Sequence, residues 1–221
     1  MGLVKLNIAI LGAGAWGTAL AVHFSHSHHV RLWTRSARHA QAMHVGRVNA
    51  DYLPGIALPS RLAATHDLQE ALQNADVVIA AVPSGAMRGL LSSLGKLDSP
   101  LIWVSKGFEH GSGKLLHQVV DETLPGVACG VLSGPSFALE VARGLPTALT
   151  LASHHDRILG QLAQGLHGGT LRIYTSEDVI GVELGDLPSF LASADVVAAC
   201  SGAPHYLVDI PLMEASGAAG D

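Results

Sequence analysis

The sequence predicts an α/β fold built on a doubly wound, mostly parallel β-sheet with helices on both faces. Along the 221 residues, short apolar runs alternate with segments of helix-forming composition. The run 76–82 illustrates the strand type, because it is apolar after its first residue and stops at Pro83. Strands without a polar face must be covered on both sides, which is typical of parallel sheets layered between helices.

The predicted elements follow from these runs in chain order. Strands are expected at residues 6–11, 29–33, 76–82, 101–104, 127–132, 148–152 and 171–174. Helices are expected at residues 13–24, 37–48, 67–73, 113–123, 135–143 and 155–166. Pro135 suits the first turn of its helix, and Gly144 suits the position just past its end. The stretch Asp51–Pro59 contains two prolines and is predicted to be a loop.

Composition excludes several functional classes. Hydrophobic residues make up 48% of the chain and charged residues 14%, so extensive disorder is excluded. The isoelectric point is about 6.2 and no basic stripe exists, which argues against nucleic acid as a partner. No apolar run reaches the roughly 18 residues of a membrane span. The two cysteines, Cys129 and Cys200, indicate a reducing, cytoplasmic location rather than a disulfide scaffold.

The charges are divided unevenly along the chain. All 13 lysines and arginines precede Ile173, whereas residues 173–221 contain eight acidic side chains and no lysine or arginine. A phosphate-bearing cofactor or an anionic substrate must therefore be held by the first part of the chain.

A glycine-rich turn follows the first predicted strand. Gly12, Gly14 and Gly17 form the pattern G-x-G-x-x-G between that strand and a helix. In this position the first glycine allows a tight turn, the second lets a pyrophosphate approach the backbone, and the third lets helix and strand pack closely. The helix N-terminus would add amides and a positive dipole. The pattern in this context predicts a Rossmann-like, dinucleotide-binding fold.

The end of the second predicted strand bears on the choice of dinucleotide. A site that prefers NAD carries an acidic residue here, which binds the ribose hydroxyls. This chain has Thr34, Arg35 and Ser36 instead, followed by Arg38. Arg35 can bind a 2′-phosphate, so NADPH is the preferred cofactor and NADH the alternative. For Arg38, assistance to Arg35 and simple solvation are equally compatible with the sequence.

A histidine-rich segment, residues 25–29, has the composition of a metal site. No second cluster of ligand-type residues accompanies it, whereas zinc sites combine ligands from more than one such cluster. We therefore interpret the segment as a polar turn between a helix and a strand and predict no metal.

Four segments carry a family resemblance, and they stand in a fixed order along the chain. They are Gly12-Ala-Gly-Ala-Trp-Gly-Thr-Ala-Leu, Ser105-Lys-Gly-Phe-Glu, Ser133-Gly-Pro-Ser-Phe-Ala-Leu-Glu and Asp178-Val-Ile-Gly-Val-Glu. Together they resemble bacterial NAD(P)-dependent glycerol-3-phosphate dehydrogenase, over about residues 5–184, which correspond to its N-terminal domain. The resemblance implies an oxidoreductase that reduces dihydroxyacetone phosphate with NAD(P)H to sn-glycerol 3-phosphate for phospholipid synthesis.

The resemblance also implies roles for individual residues. The cofactor would contact Gly12, Gly14, Ala15, Trp16, Gly17, Arg35, Lys106 and Ala138, and the substrate would contact Lys106, Gly134 and Ser136. Ala15 replaces a serine that is frequent in the family, a change that keeps the backbone amide. Lys106 follows a predicted strand, where ligands of parallel sheets bind, and its ammonium suits a phosphate or a polarised carbonyl. The segment 133–136 precedes a predicted helix, whose amides would form an anion site.

The sequence departs from the family pattern after Gly185. The family continues there with a helix that carries the general acid/base lysine and then with a helical domain. Here Ser189 stands near the expected lysine, no lysine follows Lys114, and the helical domain is expected to be absent. A positioned acid contributes about 10²–10⁴-fold to such reactions, so we expect impaired catalysis, with Lys106 acting only as an electrostatic stabiliser.

Residues 185–221 are therefore predicted to be an atypical tail behind a dinucleotide-binding domain at residues 1–184. The segment 186–204 resembles one helix and one strand of the NADPH domain of glutamyl-tRNA reductase, and residues 214–221 are typical of a disordered end. The alternatives to an impaired dehydrogenase are an NADPH-binding module without catalysis and a chimeric or misassembled chain. A small phosphorylated substrate is the expected partner, and the sequence does not determine the oligomeric state.

Overall fold

The structure, a computed structural model, describes residues 5–185. Its strands are β1 Asn7–Leu11, β2 His29–Trp33, β3 Val48–Asn49, β4 Leu53–Ala57, β5 Ala63–Thr65, β6 Val77–Ala80, β7 Leu101–Trp103, β8 Cys129–Ser133, β9 Thr147–Ser153 and β10 Leu171–Ser176. Its helices are α1 Ala15–Ser25, α2 Ala37–Gly46, α3 Leu68–Leu72, α4 Ser84–Leu94, α5 Leu116–Thr123, α6 Ala138–Ala142, α7 Ala163–Leu166 and α8 Val179–Leu184. A π-helical turn, Ile158–Leu162, leads directly into α7. No helix within this range is long and apolar enough to cross a membrane.

Eight of the strands form one sheet in the order β10-β9-β8-β7-β6-β1-β2-β5. All neighbouring pairs are parallel except β8 and β9, which are antiparallel. Because β1 lies between β2 and β6, the chain builds the sheet first on one side of β1 and then on the other. This reversal confirms the predicted doubly wound, Rossmann-like fold, and it leaves a crevice at the carboxyl ends of β1 and β6.

The side chains of β1 alternate between two hydrophobic cores, one on each face of the sheet. Ile8 and Ile10 pack into the core that includes side chains of α1, α2 and α7. Ala9 and Leu11 pack into the core that includes side chains of α3, α4 and α5. A strand buried on both faces needs apolar residues at every buried position, and this explains the apolar run at residues 8–11.

The prediction of a loop at Asp51–Pro59 is wrong. Leu53–Ala57 forms β4, which pairs antiparallel with β3 in a two-stranded ribbon separate from the main sheet. Each strand of the ribbon has one neighbour, so Pro54 lacks an N–H donor without interrupting a central ladder. Prolines mark edge strands as well as loops, and the local sequence does not separate the two cases.

Several other elements differ from the prediction in their limits. β3, β5, α4 and α8 have no predicted counterpart. α2 ends at Gly46, before the predicted residue 48, because Arg47 adopts a φ of 48° in the left-handed region. α5 begins at Leu116 rather than residue 113. α6 begins only after Phe137, whose backbone is extended, and its five residues are too short for the anion site expected at its N-terminus.

The buried carboxylate of Glu183 links α8 to the first turn of α5. Its Oε1 accepts hydrogen bonds from the backbone N–H groups of Leu116 at 2.7 Å and His117 at 3.2 Å, the first two residues of α5. Its Oε2 pairs with Nδ1 of His117 at 2.7 Å. The carboxylate thus caps α5, and its hydrogen bond to the imidazole raises the pKa of His117 above its usual value.

The pair of His117 and Glu183 gives stability a pH dependence. Because the folded-state pKa of His117 is raised, the pair stabilises most below the unfolded value of about 6.5, and this contribution is lost as the pH rises through the folded value. The variant His117→Gln keeps a donor and loses the charge. We expect its melting temperature to lie furthest below the wild-type value at about pH 6, by the equivalent of about 1 kcal/mol, and to converge with it toward about pH 9. Thermal unfolding of both proteins across this range measures the effect, and a constant difference would contradict it.

Candidate functional site

A cleft of about 410 Å³ opens at the carboxyl edge of the sheet, beside the crevice between β1 and β6. Its walls come from the turn after β1, the segments after β6 and β7, and the loop before α6. Six predicted site residues meet there: Gly14, Ala15, Trp16, Lys106, Ser136 and Ala138. Parallel strands present their carboxyl ends at one edge, so segments distant in sequence come together.

The glycine-rich turn is shaped by backbone contacts at Gly12 and Gly17. Gly12 has a φ of 124°, and a Cβ there would lie 2.3 Å from the carbonyl oxygen of Ala81. A Cβ on Gly17 would lie 1.9 Å from the carbonyl oxygen of Gly12. Both positions therefore require glycine so that α1 can pack against the ends of β1 and β6, as the pattern predicts.

Gly14 differs from these two glycines because a Cβ there would meet no atom within 4 Å. It lines the cleft and is the N-cap of α1, where no side chain accepts from the first-turn amides. The amides of Ala15 and Trp16 belong to that first turn, where helical N–H groups have no intrahelical acceptor and the dipole is positive. The open space at the Cβ position of Gly14 fits the close approach of a pyrophosphate to this turn.

Lys106 and Ser136 lie on the cleft wall and are linked through Gly134. The exposed ammonium of Lys106 donates to the carbonyl oxygen of Gly134 at 3.4 Å. The hydroxyl of Ser136 donates to the same oxygen at 3.2 Å. Gly134 itself does not line the cleft, but its carbonyl holds a cation and a hydroxyl on one side of it.

Arg35 lies near the turn but outside the cleft lining. It comes two residues after the end of β2, and the N–H of Gly12 donates to the carbonyl oxygen of Trp33 at 3.0 Å. The side chain is exposed, as is that of Arg38 in the first turn of α2. An extended cofactor that leaves the cleft across the end of β2 would pass this arginine.

The structure adds residues to the cleft that the sequence reasoning missed. Ala81, Val82 and Pro83 follow β6 and line the cleft beside the glycine turn, and Phe137 lines it with a side chain that is 72% exposed. The proline that ends the apolar run is a visible signal for a loop at a strand end. Which strand lies beside β1 is a tertiary fact, so this signal does not identify the cleft.

The histidine-rich segment forms a turn between α1 and β2, as predicted. His28 is buried, its Nδ1 accepts the backbone N–H of Leu6 at 3.3 Å, and burial lowers its pKa. Within residues 5–185, no group of three or more histidine, cysteine or acidic side chains is placed to hold a metal ion.

Comparison with known proteins places this arrangement in one family. The family model described as the N-terminus of NAD-dependent glycerol-3-phosphate dehydrogenase matches residues 7–159. The glycerol-3-phosphate dehydrogenase (NAD(P)+) of Thiobacillus denitrificans is 50% identical over 183 residues, which cover 81% of this chain and 56% of that protein. The crystal structure of the glycerol-3-phosphate dehydrogenase of Coxiella burnetii matches with a TM-score of 0.77 and 41% identity, over 81% of this chain and 56% of that one. The Saccharomyces cerevisiae enzyme matches with a TM-score of 0.73 and 27% identity, over 86% and 62%.

The chain thus spans about half the length of the curated relatives that it matches. Residues 186–221, with Ser189 and the predicted helix–strand tail, lie outside the described residues. The proteins compared lend no support to the resemblance of residues 186–204 to glutamyl-tRNA reductase. The family match over residues 7–159, together with the sheet and its glycine turn, shows that this chain belongs to the NAD-dependent glycerol-3-phosphate dehydrogenase family and contains its N-terminal part.

Proposed function

We propose that residues 1–184 form the NAD(P)H-binding domain of a glycerol-3-phosphate dehydrogenase that interconverts dihydroxyacetone phosphate and sn-glycerol 3-phosphate. One observation carries the proposal: the glycine turn, Lys106 and Ser136 line a single cleft at the crevice between β1 and β6. Dinucleotides bind at this point of doubly wound sheets. A cytoplasmic role in supplying glycerol 3-phosphate for phospholipid synthesis is part of the same proposal.

The turn after β1 would hold the cofactor. The first-turn amides of Ala15 and Trp16 and the open space at Gly14 would receive the pyrophosphate, while Gly12 and Gly17 shape the turn. Ala138, across the cleft, would contact the cofactor from the other side. The bound NAD(P)H supplies a hydride.

Lys106, Gly134 and Ser136 would receive the substrate. Lys106 brings a positive charge to the cleft wall, which suits an anionic substrate and the oxygen on which negative charge develops during carbonyl reduction. Ser136 can turn its hydroxyl from Gly134 toward a ligand oxygen. These groups bind and polarise the substrate, but they do not include a general acid.

A second candidate function is cofactor binding without turnover. No lysine follows Lys114, and Ser189 stands near the position at which the family resemblance implies the acid/base lysine. We propose that residues 185–221 form a separate tail that does not supply this group. The same features are compatible with a chimeric chain, which resequencing of the DNA across codons 180–190 would decide.

Substitution at two glycines tests cofactor binding. In Gly14→Ala the added methyl group enters the proposed pyrophosphate space, so we expect the NADPH affinity to fall at least about tenfold while the unfolding free energy changes by less than about 1 kcal/mol. Gly17→Ala is the matched control, because its methyl group would meet backbone and cost about 1–3 kcal/mol or more of stability. NADPH fluorescence titration and thermal unfolding measure both quantities. No saturable NADPH binding by the wild type would refute both candidate functions.

Arg35 tests the preference for NADPH over NADH. Removing a charge-assisted contact to a 2′-phosphate costs about 1.5–3 kcal/mol, so Arg35→Ala should weaken NADPH about tenfold or more and leave NADH nearly unchanged. Arg38→Ala, an exposed arginine on the same segment, is the control and should have a smaller effect. The affinities follow from parallel titrations with the two nucleotides. Equal losses for NADPH and NADH in Arg35→Ala would reject the proposed role.

A steady-state assay separates the two candidate functions. With dihydroxyacetone phosphate and NADPH, we expect turnover at least about 100-fold below that of the Thiobacillus denitrificans relative, because Ser189 stands near the position at which the resemblance implies the acid/base lysine. Loss of NADPH absorbance reports the reaction. Turnover similar to that of the relative would contradict the expected impairment. If the variant Lys106→Ala then abolished this turnover, the reaction would be assigned to this cleft.

A further inference from the structure

Asn49 connects the β3–β4 ribbon to the glycine turn and is completely buried. Its Nδ2 donates to the carbonyl oxygen of Ala13 at 2.9 Å and to Oγ1 of Thr18 at 2.8 Å. Its Oδ1 lies 2.9 Å from Nε2 of His39 and accepts the backbone N–H of Tyr52 at 3.3 Å. Both ends of the side-chain amide are therefore bonded, and its orientation is fixed.

The bond to Ala13 fixes the peptide that joins Ala13 to Gly14. The C=O of Ala13 and the N–H of Gly14 belong to one planar trans peptide and point in opposite directions. Glycine offers little resistance to rotation of an adjacent peptide, and nothing lies within 4 Å of the Cβ position of Gly14. A rotated peptide would exchange a donor for a carbonyl oxygen at the edge of an anion site. The hydrogen bond from Asn49 to the carbonyl oxygen of Ala13 opposes this rotation and keeps the N–H of Gly14 pointing the other way.

Two backbone groups determine which way the amide of Asn49 faces, because the N–H of Tyr52 can only donate to its oxygen and the C=O of Ala13 can only accept from its nitrogen. Oδ1 of Asn49 can only accept, so Nε2 of the His39 ring donates to it and adds a second hydrogen bond that holds this orientation. The other ring nitrogen, Nδ1, lies 3.3 Å from Oγ1 of Thr34, the residue before Arg35. One chain of hydrogen bonds thus runs from the glycine turn to the segment that carries Arg35.

We propose that Asn49 is a positioning residue for dinucleotide binding: it holds the peptide of Ala13 and Gly14 in the orientation that receives the pyrophosphate, and His39 helps to hold its amide in place. The inference rests on the proposed function of the cleft. It assigns to the ribbon, which lies outside the cleft lining, a part in cofactor affinity. The competing explanation is that Asn49 only attaches the ribbon.

Asn49→Asp tests the proposal, because it keeps an oxygen for His39 and replaces the donor facing Ala13 with a second oxygen. We expect the dissociation constant for NADPH to rise at least about tenfold, which corresponds to about 1.4 kcal/mol. Adenosine 2′-monophosphate, which lacks the pyrophosphate, should compete with NADPH for the site, and its inhibition constant should differ less than about twofold between the variant and the wild type. Equal weakening of both nucleotides, or unchanged NADPH binding, would overturn the proposal.

A pair of variants at His39 keeps the test decisive where the buried charge of Asn49→Asp prevents folding. His39→Leu removes the donor to Oδ1 and should weaken NADPH by about threefold to tenfold, whereas His39→Gln supplies another donor and should restore most of the affinity. A purely structural role would make the losses in NADPH affinity follow the losses in melting temperature, without rescue by glutamine. If the wild type binds NADPH saturably and the variants bind it with the same affinity, this inference is rejected and the proposed function stands. If the wild type does not bind NADPH, the inference and the proposed function are both rejected.

Discussion

The close approach of α1 to the ends of β1 and β6 is the constraint on which the rest of this structure depends. The backbone segments are in direct contact there, because a Cβ added at Gly12 or Gly17 would overlap a backbone carbonyl oxygen. The absence of side chains lets the helix begin directly over the sheet edge. The first turn of the helix then lines the cleft, and the positive end of the helix dipole lies at the site proposed for the pyrophosphate.

The remaining parts of the cleft follow from the parallel sheet. β6 and β7 end at the same edge as β1, so Pro83 and Lys106 reach the cleft without long loops. Lys106 and Ser136 share the carbonyl of Gly134, which joins the segment after β7 to the segment after β8. A cation and a hydroxyl are thereby held on the wall of the cleft that the glycine turn also lines, as the proposed binding of a dinucleotide beside a small phosphorylated substrate requires.

Features that depend on local sequence could be predicted, whereas features that depend on tertiary contacts could not. The glycine spacing and the apolar run before it predict the turn, because steric exclusion of a Cβ is a local property. Asn49 carries no such signal, since its importance comes from contacts with Ala13, Thr18 and His39 that exist only in the folded chain. Pro54 was misleading for the same reason, because a proline is compatible with a ribbon edge once the partner strand is known.

The sequence by itself determined the fold class and half of the cleft residues, because burial on both faces of a strand and tight glycine turns leave clear local patterns. The family followed from the resemblance of four motifs in a fixed order. Only the tertiary structure decided which strand ends are neighbours, where the β3–β4 ribbon attaches, and that Arg35 and Gly134 lie outside the cleft lining. Those facts depend on the order of strands in the sheet and on hydrogen bonds between distant segments. Neither is encoded in the spacing of residues along the chain.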